Sequence, residues 1–149
     1  MKRLPASHAI DISSTVRRLN VSRDRIREAA TAALKAERVK EAMISITFVG
    51  RATMSTLNGR YLRHRGPTDV ISFGLGRMGT RGAVLGDIYI CPEVARDNAR
   101  RENISAGEEL LRLVVHGTLH VLGHEHPEGS TRGASPMWRK QERILARVL

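Results

Sequence analysis

Apolar positions recur along this chain at two spacings, and the changes from one to the other mark its elements. Residues 8–14, HAIDISS, alternate apolar and polar as a strand with one buried face does. Ser22 then offers an N-cap for an alanine-rich amphipathic helix, SRDRIREAATAALKAERV. The β-branched content of AMISITFV, 42–49, predicts a strand, and RATMSTLNGRYL, 51–62, reads as helical. A basic turn, RHRGP, leads into a strand over 68–73, TDVISF. Residues 74–83, GLGRMGTRGA, hold four glycines and read as a mobile loop between strands rather than a phosphate-binding fingerprint. VLGDIYI, 84–90, is the fourth expected strand.

Three helices follow. Pro92 sits at a first helical position and starts PEVARDNARREN, ending near Asn103. Ser105 and Glu108 have capping-box spacing at the head of SAGEELLRLVVHGTLHVLG, whose apolar residues leave little polar face, so this is the expected buried central helix. Ser135 and Pro136 announce a last helix, MWRKQERILARVL. The order β α β α β β α α α lacks regular βαβ repetition. It predicts an α+β fold with a small mixed four-stranded sheet packed by helices.

Composition narrows the class. A length of 149 residues fits one domain, 1–149, with no repeat or linker to divide it. No apolar run is long enough for a membrane span, and MKRLPASHAIDISS lacks the apolar core of a secretory leader, so a cytoplasmic protein with no membrane partner is expected. Cys91 is the lone cysteine; it cannot form an internal disulfide, and any metal must use histidine or carboxylate. The net charge of +10 is carried almost entirely by arginine, whose planar fork matches phosphate oxygens. Between Arg51 and Gly86 stand six arginines and one acid, Asp69, so a polyanionic partner is expected.

The candidate chemistry lies in residues 116–126, HGTLHVLGHEH. His116 and His120 are four apart, which puts both imidazoles on one helical face a turn apart. Gly123 can end the helix in a left-handed conformation, and His126, three residues on, lies within reach of the same point. Three imidazoles in so apolar a segment are costly to desolvate unless a cation satisfies them together, and three protein ligands leave a position open for catalysis. His124 and Glu125 fall out of phase, with His124 expected at the surface. The HxxxHxxGxxH spacing is that of metzincin peptidases, whose general base is a glutamate after the first histidine; here that residue is Gly117, which shifts the expectation from peptide to phosphodiester.

HGTLHVLGHEH resembles the HGxLHLxGxDH signature of the YbeY family, bacterial endoribonucleases of rRNA maturation. LNGRYLRHRGPTDVISF is similar to that family's LNxxYRxxxxPTDVLSF, and LGDIYI to its LGDI strand, so the resemblance spans roughly residues 44–145. It implies a zincin-like fold with a metal-bearing central helix, and one zinc ion per chain held by His116, His120 and His126. The implied activity is metal-dependent cleavage of single-stranded RNA by activated water, in 3′-end maturation of small-subunit rRNA and ribosome quality control. Ribosomal proteins and an assembly GTPase are the implied protein partners. Two positions depart from the pattern: Glu125 replaces the aspartate before the last histidine, and Leu62 stands where members carry an arginine credited with a role in activity. Arg63 is therefore the expected catalytic arginine, with Arg60, Arg63 and Arg65 as substrate-binding residues. Five aromatic residues offer few stacking platforms, which predicts weak sequence specificity. A metallopeptidase and a non-catalytic, metal-stabilised rRNA-binding assembly factor are the alternatives.

Overall fold

In the computed structural model, which describes residues 6–125 and 135–149, β1 (Ser7–Ser14) and β2 (Glu41–Phe48) lie side by side in parallel. Ile10 stands opposite Ile44 and Ile12 opposite Ile46. Parallel neighbours need a crossover, and α1 (Arg23–Ala36) supplies it. Its Ser22 hydroxyl accepts from the Arg25 amide, the expected N-cap, and Ile26, Ala29, Ala30, Ala33 and Leu34 form its buried face. β4 (Ala83–Ile90) pairs in parallel with β2, and β3 (Val70–Met78) pairs antiparallel with β4, so the strand order is β1-β2-β4-β3. The fold is α+β on a mixed four-stranded sheet, with the order of elements expected from the hydrophobic pattern.

One expectation is corrected. Residues 74–83 are not a loop joining strands: β3 runs on to Met78 and only 79–82 form the turn. Gly74 and Gly86 face each other across the β3–β4 pair beneath Val121. A Cβ on Gly86 would stand 2.4 Å from Val121 Cγ1, and one on Gly74 would stand 3.1 Å from the Val121 carbonyl oxygen. These glycines let a helix approach the backbone, and a register shift between Gly74 and Arg77 absorbs the irregularity.

That helix is α4 (Ala106–Val121), capped by the Ser105 hydroxyl on the Glu108 amide. It packs against α1, α3 (Pro92–Glu102), α5 (Pro136–Ala146), β3 and β4, which makes it the expected central helix. Leu110, Leu111, Leu113, Val114, Val115 and Leu119 join Ile44, Ile46, Ile88 and Ile90 in the main core. A smaller apolar cluster gathers Met54 and Leu57 of α2 (Arg51–Leu57) with Ile71, Phe73, Tyr89 and Cys91. α2 does not continue as regular helix to 62; it passes into a π-helical turn, Asn58–Leu62, ended by Arg63 in the left-handed region at φ 57°. No helix among the described residues is long and apolar enough to cross a membrane.

Candidate metal centre and its cleft

His116 and His120 project from one face of α4 with ring centroids 4.5 Å apart. Their placement follows from the helical repeat, and the sheet sets the depth at which it sits: Gly117 lies so close to β3 and β4 that a Cβ there would stand 2.8 Å from Ile88 Cγ2 and 3.0 Å from Ser72 Oγ. α4 stops as expected, with Gly123 at φ 98° and the His124 amide donating back to the Leu119 carbonyl. His126, the expected third ligand, lies outside the described residues, and among the described residues no three ligating side chains converge.

The two histidines open onto a cleft of about 360 Å³ whose other wall is the 68–72 segment and Leu62. Ser72 Oγ is buried in that wall without a hydrogen-bond partner among the described residues. Asp69 also lines it and accepts a bond of 3.0 Å from Asn98 Nδ2. Arg60, Arg63 and Arg65 are all exposed and lie in the turn that follows α2. Leu62, and not Arg63, is among the residues lining this cleft, and Arg63 follows it in the left-handed region. Asn58, itself buried, fixes that turn: Nδ2 donates to the Gly66 carbonyl at 2.9 Å and its own carbonyl accepts from the His64 amide. Arg51 pairs with Glu93 and Asp97, and Arg81 with Glu41, whereas Arg60, Arg63 and Arg65 form no ion pair among the described residues.

Behind the cleft lies a cluster of charge. Arg112, only 14% exposed, donates Nε and Nη2 to the Glu142 carboxylate at 3.0 Å each. It also donates Nη1 to Glu109 and Nη2 to Glu108, both at 3.0 Å. Burial works against the Arg112 charge, but the three carboxylates outweigh it and hold the guanidinium protonated well above its ordinary range. Burial pushes the Glu109 carboxyl above its usual value despite Arg112 and Asn98. Glu142 is held below the usual carboxylate value: burial pushes it up, and the bonds from Arg112 and Gln141 overcome this. Gln141, fully buried, donates Nε2 to Glu142 at 3.0 Å, while its Oε1 lies 2.6 Å from His116 Nδ1. With the amide nitrogen committed to a carboxylate, Nδ1 must be the donor to Oε1, which places the lone pair of His116 on Nε2. Two imidazoles on one helical face, without thiolates, suit a borderline cation such as zinc.

Comparison with known proteins adds a decisive match. The family model described as endoribonuclease YbeY covers residues 11–149. The chain belongs to the YbeY family. Among relatives named endoribonuclease YbeY, that of Syntrophus aciditrophicus is 33% identical over 142 residues, covering 93% of this chain and 89% of its own. That of Micrococcus luteus is 38% identical over 117 residues, covering 74% and 73%, and that of Beutenbergia cavernae 46% identical over 95 residues, covering 59% and 63%. A Thermotoga maritima protein solved in solution superposes with a TM-score of 0.57 at 25% identity, over 93% of this chain and 88% of that one.

In this YbeY-family chain two of the three sequence blocks meet in space. Two histidines of HGTLHVLGHEH, the TDVIS wall and Leu62 of LNGRYL line one cleft. Three residues of the site carried no signal of their own. Gln141 and Glu142 lie 25 and 26 positions after His116, in an otherwise ordinary amphipathic helix, and Asn98 reads as one polar residue among many. Asn58 could have been singled out, since an Asn-Gly pair inside a helical pattern is a turn signal. His124 is not simply exposed: its Nε2 bonds Glu37, which also pairs with Lys140 at 2.9 Å, tying the end of α4 to α1 and α5.

Proposed function

We propose that this chain is a metal-dependent endoribonuclease acting on single-stranded RNA. His116, His120 and His126 hold one zinc ion in a zincin-like arrangement, and the 3′ end of small-subunit rRNA is the substrate. The observation that carries the reading is the pair of imidazoles on one helical face, with the His116 ring fixed at Nδ1, in a cleft near three exposed arginines that form no ion pair among the described residues. A cation held there supplies Lewis-acid polarisation of a phosphoryl oxygen and a nucleophile at neutral pH. Arg60 and Arg65 grip backbone phosphates, and Arg63, next to the cleft wall, meets the charge that develops on the phosphate in the transition state. Asp69, held by Asn98, lines the cleft as a proton acceptor or an anchor for ordered water.

The peptidase alternative requires a carboxylate after the first histidine. Packing leaves no room for one, since even a Cβ on Gly117 would press into Ile88 and Ser72. Leu62 in the cleft wall favours one second reading, a non-catalytic RNA-binding assembly factor. A labelled RNA spanning the 3′-extended end of small-subunit rRNA separates the two. Cleavage by the wild type, abolished by chelator and by His120→Ala while RNA binding persists, is the expected result. Binding without cleavage in any metal condition would leave the assembly factor, and cleavage indifferent to chelator and to His120→Ala would remove the metal mechanism.

A further inference from the structure

Gln141 joins the buried ionic cluster to the histidine face of α4. It is fully buried in α5, and its two amide ends are committed in opposite senses: nitrogen to Glu142 at 3.0 Å, oxygen to His116 at 2.6 Å. Amide orientation is often ambiguous, but here a carboxylate on one side requires the nitrogen there. Glu142 is in turn clamped through both oxygens by Nε and Nη2 of Arg112, a bidentate pair that fixes its plane. The sense of donation therefore runs unbroken from the guanidinium and the amide into Glu142, and from His116 into the amide oxygen. Buried ionic groups of this kind contribute little net stability relative to apolar replacements of the same size. What this one does contribute is a fixed hydrogen-bond polarity.

We propose that Gln141 is a positioning residue for His116: backed by Glu142 and Arg112, it holds the imidazole proton on Nδ1 and turns the Nε2 lone pair into the cleft. The proposal deepens the metal-centre reading and rests on it. Groups that orient a metal-bound imidazole from behind commonly contribute ten- to hundredfold in metal affinity. The polarity of the chain also makes a sharp demand: Gln141→Glu keeps an acceptor for Nδ1, whereas Gln141→Leu removes it. Glu142 keeps both of its bonds from Arg112 in either variant.

The test is ¹⁵N NMR of the imidazoles in the metal-free, full-length protein, with zinc affinity measured by competition with a chelating dye. Expected are a wild-type His116 protonated at Nδ1, a Gln141→Leu variant shifted toward Nε2–H that binds zinc about ten- to hundredfold more weakly, and a Gln141→Glu variant that keeps the Nδ1–H tautomer. A wild-type His116 protonated at Nε2 overturns the proposal, and this holds even if Gln141→Leu fails to fold. So does a folded Gln141→Leu whose tautomer and affinity match the wild type, or a folded Gln141→Glu that loses the Nδ1–H tautomer. A wild type that holds the Nδ1–H tautomer yet binds no zinc would support the relay and refute the metal reading, so the two fail separately.

Discussion

His116 and His120 were legible in the sequence because ligand geometry on a helix reduces to a spacing, and a spacing survives whatever else the chain does. Gly117 was legible only as a missing carboxylate; its closeness to Ile88 and Ser72 is a property of helix on sheet that no local pattern carries. The same physics governs Gly86, and there it can be tested. Gly86→Ala places a methyl 2.4 Å from Val121 Cγ1, and overpacking of this kind costs about 1–3 kcal/mol. Chemical denaturation should register that loss, and adding Val121→Ala should recover part of it. If Gly86→Ala is as stable as wild type, the close approach of α4 to the hairpin is wrong. Leu62 and Arg63 illustrate the opposite limit. The sequence showed an arginine displaced by one position, but not that Leu62 lines the cleft, nor that a π-helical turn and a left-handed Arg63 stand there.

The elements were read well wherever one face is buried and the other wet, as in α1 and β2. They were misread at 74–83, where glycine suggested a loop. Gly74 serves contact with α4, and a strand can hold glycine when something must lie against its backbone. The basic turn after α2 depends on Asn58, whose side chain bonds the Gly66 carbonyl. Asn58→Ala removes one buried hydrogen bond and frees the 63–67 turn, at a stability cost of about 1 kcal/mol. Because Arg63 and Arg65 ride on that turn, RNA affinity should fall several-fold beyond what the stability loss explains. Filter binding at fixed salt checks this, and unchanged affinity would detach the turn from RNA recognition.

Charge acts over the molecule as a whole. Three arginines that form no ion pair among the described residues should dominate the salt dependence of RNA binding, because each phosphate contact to a single strand contributes about 0.7 to the slope of log affinity against log salt. Replacing Arg60, Arg63 and Arg65 together by alanine should therefore lower that slope by about 2; replacing Arg51, already paired with Glu93 and Asp97, should lower it by much less. Equal effects would mean that affinity follows net charge and not this site. Acid should act on the fold through the Arg112 cluster. Glu142 is held below the ordinary carboxylate value of 4.5, so the stability it contributes is present above that value and lost as pH falls through its lower value in the folded protein. Glu109, pushed up by burial, works in the opposite sense. Melting temperatures taken between about pH 6 and pH 3 should thus fall less steeply for Glu142→Gln than for wild type, and a steeper fall would contradict the assignment.

The proposed metal centre is most directly tested by X-ray absorption at the zinc edge of the zinc-loaded, full-length protein. Three imidazole nitrogens at about 2.0–2.1 Å with one further light-atom ligand from solvent, reduced to two nitrogens in His120→Ala, is the expected result. A shell closed by four protein ligands, or one that His120→Ala leaves unchanged, would contradict it.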